Sequence, residues 1–359
     1  MTGLRYDNPP KQEMKHLCRF AILLAFGVVT SCSGERVPLW PAVPGQPCPI
    51  CPGTPYIPLD LVFDVSADGA KVVYAHTGAD STPPGIYLLT TAPDSIPSLV
   101  SDFTLGDWGF RFAPDGHRLM FVSDRGGGVD LWVWDDQTGI LNQVTFTYGN
   151  ASTGDWDPSG RYIIYSRPFL NAGAADTSGG LHIVDTQSLL DRPLLAQGTA
   201  VYGGEPRWSP DSSRASFWYG TKMRDPSGKS ITVPHIYSIG VDGADLRDLT
   251  PRSLEQSEHM EWVEDGRRLI YEAFDYRDRR SHATRTMFSD GSQNSLWDMD
   301  LLLGKSAITR DGLTFVYSAT DSGGYGTLFL RGARDVLGQS ARQLTFSSLH
   351  ATGLSATSL

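Results

Sequence analysis

Cys48 and Cys51 stand three positions apart, a spacing at which a dithiol can exchange with a disulfide. Such pairs react when a helix N-terminus or a cation lowers one thiol pKa, and the prolines that surround this one leave no helix to do so. A local disulfide in an oxidising compartment is the plainer reading. Pro52 also stands where a haem attachment site needs His. The eight histidines are dispersed, and the sequence has no H-E-x-x-H, P-loop, strand-borne G-x-G-x-x-G or G-x-S-x-G elbow. No catalytic residue, metal site or cofactor is expected from these patterns.

The other polar chemistry lies in charged residues that each precede an aromatic or apolar one. Asp64, Arg111, Asp155, Arg207 and Glu261 stand before Val65, Phe112, Trp156, Trp208 and Trp262, with Ala307 in the sixth equivalent place. Side chains alternate along a strand, so if the aromatics pack inward between sheets, these charges face a common axis. Their signs run minus, plus, minus, plus, minus, neutral. Such a ring can simply neutralise a water-filled channel, or it can bind a polar ligand. Two residues earlier on the same face come Glu205, His259 and Lys305, nearer one mouth of the channel. A further cluster, Phe274-Asp-Tyr-Arg-Asp-Arg-Arg280, combines Phe274 and Tyr276 with Arg277, Arg279 and Arg280 in the manner of an interface, although its Arg and Asp could also pair with one another in solvent.

The elements that must position these residues are visible as a repeat. The turns Val65-Ser-Ala-Asp-Gly69, Phe112-Ala-Pro-Asp-Gly116, Trp156-Asp-Pro-Ser-Gly160, Trp208-Ser-Pro-Asp-Ser212, Trp262-Val-Glu-Asp-Gly266 and Ile308-Thr-Arg-Asp-Gly312 recur about every 44 to 54 residues. Gly accepts the positive φ of a tight hairpin, and Asp bonds back to following amides. Each turn leads into an apolar strand such as Leu119-Met-Phe-Val122. A third strand such as Leu131-Trp-Val-Trp134 follows, and in the clearest copies a fourth ends in Val-Thr or Leu-Thr, as at Gln143-Val-Thr-Phe146, Arg247-Asp-Leu-Thr250 and Arg342-Gln-Leu-Thr345. Ser159 and Ser212, where the other copies have Asp and Gly, are expected to loosen two of the turns. Six copies of a four-stranded unit predict an all-β, six-bladed propeller of antiparallel blades over residues 59–350, with residues 351–359 as a tail. How the ring closes is left open.

This module resembles the repeat of the TolB and WD-like propeller family, from about Leu61 to Phe346. The resemblance implies a binding scaffold. It does not bring the α/β domain that precedes the TolB propeller, because residues 33–58 are too few to supply one. Some related propellers are lyases or hydrolases that use a channel active site, which is the alternative function.

The first residues carry a different message. Lys15, His16 and Arg19 precede the apolar run Phe20–Val29, about ten residues long and too short to span a bilayer. The run ends in Val29-Thr30-Ser31-Cys32, which resembles the lipobox of bacterial lipoproteins. Residues 1–31 are then the signal segment, of ordinary length when translation starts at Met14 and residues 1–13 are an over-extended start; Cys32 is acylated, and residues 32–58 form the Pro-rich spacer. A plain secretory signal with an incidental cysteine is the other reading, and both export the protein. The expected place is the cell envelope, lipid-anchored on the outer membrane and facing the periplasm.

A formal net charge of −10 disfavours a phosphate backbone, so nucleic acid is not an expected partner. The segments 167–179, 219–234 and 273–285 all exceed an ordinary hairpin loop and share one face of the ring. Function is expected on that face, with an envelope protein or an anionic surface ligand as partner.

Overall fold

A computed structural model describes residues 57–58, 60–78, 82–102, 106–146, 151–167, 180–194, 203–251, 255–275, 282–297, 306–320, 325–332 and 341–346. All of them belong to one compact unit, residues 39–359. They form 25 strands, starting with β1 (Ile57–Pro58). Blade one is β2 (Asp60–Val65), β3 (Lys71–His76), β4 (Gly85–Thr90) and β5 (Ser98–Ser101), and blade two is β6 (Trp108–Phe112), β7 (Arg118–Ser123), β8 (Asp130–Asp135) and β9 (Leu141–Gln143). Blade three is β10 (Gly154–Trp156), β11 (Tyr162–Arg167), β12 (Gly180–Asp185) and β13 (Asp191–Pro193). Blade four is β14 (Gly203–Trp208), β15 (Arg214–Arg224), β16 (Ser230–Gly240) and β17 (Arg247–Asp248), and blade five is β18 (Glu255–Val263), β19 (Arg268–Asp275), β20 (His282–Phe288) and β21 (Ser295–Leu296). Blade six is β22 (Ser306–Ile308), β23 (Thr314–Thr320), β24 (Tyr325–Gly332) and β25 (Arg342–Gln343). The fold is a six-bladed propeller whose four-stranded blades are antiparallel; among the described residues the one parallel pairing is that of β1.

The turn chemistry explains why the repeat survives its own departures. In blade one the Ser66 hydroxyl donates to Asp68 at 2.6 Å and accepts from Lys71 N, while Asp68 accepts from Ala70 N. Ser209 with Asp211 and Thr309 with Asp311 repeat this arrangement. In blade three the two residue types exchange places. Asp157 accepts from Arg161 N and Tyr162 N, and the Ser159 hydroxyl donates to it at 2.6 Å. That turn is therefore not loosened, because the carboxylate does the work of the usual Ser. Ser212 takes φ 59 where Gly69, Gly116, Gly160 and Gly312 take 68 to 72, so blade four keeps the turn with a strained Ser.

The outer Thr is equally specific. Thr145 Oγ1 accepts Leu131 N at 2.9 Å, Thr250 Oγ1 accepts Ile236 N at 3.0 Å and Thr345 Oγ1 accepts Leu328 N at 2.9 Å. Each hydroxyl satisfies a third-strand amide where backbone pairing with the fourth strand has stopped. Second strands are buried on both sides, since each blade is packed between two others, which is why β7 and β11 read as continuous apolar runs rather than alternating ones. Trp156, Trp208 and Trp262 each belong to a separate inter-blade cluster.

The ring closes at blade six through the first and last described strands. β25 pairs antiparallel with β24 at Phe329 and Leu330, while β1 pairs parallel with the same strand at Tyr325 and Gly326. Ile57 and Pro58 thus pair with the propeller, although the Pro-rich sequence around them assigns them to the spacer. Asp60 completes the joint: Thr345 Oγ1 donates to its Oδ2, Ser318 Oγ donates to its carbonyl at 2.8 Å, and His76 Nδ1 lies 2.8 Å from its Oδ1.

Candidate functional site

The inner strands β2, β6, β10, β14 and β18 bring Asp64, Arg111, Asp155, Arg207 and Glu261 around one cavity. Arg111 reaches across the ring and binds Glu261 with both ends of its guanidinium, Nη1 to Oε1 at 2.8 Å and Nη2 to Oε2 at 3.0 Å. Arg207 Nε donates to the same Oε1 at 2.9 Å. Asp64 and Asp155 each lie 3.6 Å from Arg111, and each spends its other oxygen on the next blade, Asp64 on Phe112 N and Asp155 on Trp208 N. The two aspartates therefore staple blade one to two and blade three to four, and Glu261 accepts from two guanidiniums at once.

These roles move two carboxyls of the ring, Asp64 and Glu261, in opposite directions. Burial pushes Asp64 from 3.8 up to about 6, with the charge of Arg111 and the Phe112 N–H opposing it only in part. Burial acts on Glu261 too, but the charges and hydrogen bonds of Arg111 and Arg207 outweigh it and carry the group from 4.5 down to about 2. Burial would lower the Arg111 pKa, yet Asp64, Glu261 and Asp155 outweigh it and raise it well above the ordinary guanidinium value.

Turn residues Pro114, Pro210 and Arg310 line the cavity with them, so it opens on the face of the first-to-second-strand turns. Arg310, which the alternation did not single out because it sits in a turn, donates to Trp156 O at 3.2 Å. Its signal was present all the same, as an Arg where the equivalent position holds Pro114 or Pro210. The cavity volume is about 40 Å³, room for a few waters and not for a sugar ring.

Toward the opposite mouth lie Glu205 and His259. Both sit at β-bulges in their inner strands and at positive φ, 51 and 49, as Gly109 does at 67 in blade two. Strict alternation does not account for such positions, because a bulge inserts an extra residue into the register. The bulged residues link three blades in sequence. Glu205 N donates to Thr153 Oγ1 at 3.2 Å, and Glu205 Oε2 accepts His259 N at 3.1 Å and lies 3.1 Å from His259 Nδ1. Burial raises the Glu205 pKa, but the charge and hydrogen bonds of His259 and the charge of Arg207 outweigh it and bring it from 4.5 to about 2.

The long segments of this face are only partly loops. Residues 219–234 are mostly strand: β15 and β16 continue as a two-stranded ribbon from Gly220↔Pro234 to Arg224↔Ser230. Phe274 is in β19, half-buried and paired with His282, because that hairpin runs on to Asp275. Cys32, Cys48, Cys51, Tyr276, Arg277, Arg279, Arg280 and Lys305 lie outside the described residues, as do residues 168–179.

A ring of six four-stranded blades around a charged channel defines the chain as a six-bladed β-propeller. Its solved neighbours include the TolB propellers. No protein-family model matches the sequence, and no curated protein matches it. The chain is similar in structure to TolB from Acinetobacter baumannii, with TM-score 0.57 and 14% identity over 75% of this chain and 62% of that one. It thus spans less than two thirds of that protein. A TolB from Agrobacterium tumefaciens gives TM-score 0.53 and 15% identity over 77% of this chain and 90% of that one. An oligogalacturonate lyase in complex with manganese gives 0.53 and 18% over 79% and 76%. At these identities the likeness is one of fold.

Proposed function

We propose that the protein is an exported, lipid-anchored propeller that serves as a protein-protein interaction or ligand-binding scaffold at the cell envelope. Cys32 carries the acyl anchor, the outer membrane is the support, and the propeller faces the periplasm. The observation that carries this reading is the mutual pairing of the channel charges. Arg111, Arg207 and Glu261 are spent on one another, and about 40 Å³ remains beside them. A scaffold needs only a rigid ring, and the segments on its other face are free to differ from blade to blade. The partner is an envelope protein or an anionic surface ligand, met by that face, with Arg277, Arg279 and Arg280 as leading contacts and Phe274 and Tyr276 beside them.

One observation favours a second reading, a channel enzyme such as a polysaccharide lyase or hydrolase. Glu205 and His259 pair at the channel mouth on strained backbone, the kind of place where catalytic groups are held. Two experiments separate the readings. Mass spectrometry of the mature N-terminus should find diacylated Cys32, and an unmodified peptide running through Cys32 from upstream residues ends the anchor. Crosslinking in native membranes should capture envelope proteins through the wild-type chain and fewer through a triple Arg-to-Ala variant at 277, 279 and 280. Cleavage of an acidic polysaccharide by the purified protein with a divalent metal would move the function into the channel.

A further inference from the structure

Among the described residues, the ribbon of blade four leaves a backbone edge of β15 without a paired strand, and its geometry says what can fill it. Ile236 turns its carbonyl to Leu249 N at 2.8 Å and its N–H to Thr250 Oγ1 at 3.0 Å, both away from β15. In an antiparallel ladder such outward groups alternate, so Pro234, Thr232 and Ser230 also face away from β15, while His235, Val233 and Ile231 bond to Tyr219, Thr221 and Met223. On β15 the same alternation turns the N–H and C=O of Gly220, Lys222 and Arg224 to the opposite edge. β14 reaches only as far as Gly203 opposite Tyr219, and among the described residues no strand pairs with that edge beyond it. The β16 edge is a poorer template, because Pro234 has no N–H to offer.

The side chains of the open edge have a sign. Lys222 and Arg224 are exposed and share a face with exposed Ser230 and Thr232 opposite them. The reverse face carries Thr221, Met223 and Ile231, half-buried, and Val233, buried. With Lys229, the ribbon holds three cations against the single carboxylate of Asp225, in a chain whose net charge is −10. An added strand places its side chains beside those of its neighbour on the same face, where opposite charges attract and like charges repel.

We propose that the ribbon captures an extended acidic protein segment, which adds as a strand to the Gly220–Arg224 edge of β15 and sets Asp or Glu at alternate positions beside Lys222 and Arg224. The apolar residues between them pack on the Met223 side. This names the partner class for the scaffold reading and rests on it. Main-chain hydrogen bonds give the affinity, and the alternating charge gives the selectivity.

The test uses the exported chain and a fluorescent octapeptide of alternating Glu and Val, followed by anisotropy. Binding is expected, weakened by salt, and about tenfold weaker for the K222E/R224E double variant. Lys222→Ala keeps the amide and should weaken binding less than Lys222→Pro, which removes an outward N–H without breaking the β15–β16 ladder. N-methylation of one alternate set of peptide amides should abolish binding while the other set leaves it intact. Equal binding of a Lys-Val peptide, or indifference to both N-methyl registers, overturns the proposal. So does equally strong binding of phosphatidylglycerol vesicles lost in the same double variant, since that describes a charged surface and not a strand site. If K222E/R224E crosslinks the same envelope proteins as wild type, the ribbon proposal fails and the scaffold reading stands; if the wild type captures none, the scaffold reading itself fails.

Discussion

Glu261 is the residue on which the channel depends. Replacing it with Gln leaves Arg111 and Arg207 close together without their shared counter-charge, and at neutral pH this should cost about 3 kcal/mol of stability, read by urea unfolding. The two shifted carboxyls also give opposite pH signatures. Asp64 has a folded pKa of about 6 against 3.8 unfolded, so its contribution is full below 3.8 and is lost as pH rises through 6. Glu261 has about 2 against 4.5, so its contribution is present above 4.5 and is lost as pH falls toward 2. Their joint optimum falls near pH ~4. Unfolding free energies measured across pH should lose their decline between 4 and 6 in Asp64→Asn and should flatten below 4.5 in Glu261→Gln. An unchanged slope in either variant would assign the titration to other groups.

At the scale of strands and turns, Ser212 and Trp156 set the expectations. Ser212 pays for φ 59 with Cβ strain that its glycine counterparts avoid, so Ser212→Gly should raise stability by about 1 kcal/mol and the melting temperature with it. Trp156 is fully buried between blades two and three, and Trp156→Ala should cost about 3–5 kcal/mol. Both positions were legible in the sequence, because a turn needing positive φ and an aromatic after a charged residue recur in register. The bulges were not. Nothing in the residue types at Glu205 or His259 announces a positive φ, and only Gly109 hints at one. The ribbon was legible only as excess length, since separating a loop from continued strand requires knowing that Thr221, Met223, Ile231 and Val233 share a face. The exchange of Asp157 and Ser159 read as a defect because the repeat was matched by position, whereas the hydrogen bonds depend on which oxygen reaches which amide.

The whole molecule is held shut by a joint that the repeat could not reveal, because its parts lie at opposite ends of the chain. Thr345 and Thr145 make the same bond to a third-strand amide, and each also donates to a buried Asp, but Asp130 lies in Thr145's own blade while Asp60 lies across the closure. Thr345→Val should therefore cost more than Thr145→Val, by about 1 kcal/mol or more, and should bring hydrogen exchange into blades one and six first. Equal losses would mean that the joint carries no share of ring closure. The same joint sets the two ends of the described propeller, β1 and β25, side by side on β24. Pro58 stands opposite Gly326 and Gln343 opposite Phe329, three positions apart on one strand, which is about 10 Å. A few residues of linker would join residue 346 to residue 57, and the ring, having no obligatory first blade, could then be cut at Pro226–Ser227 in the ribbon turn to give a permuted chain that still folds.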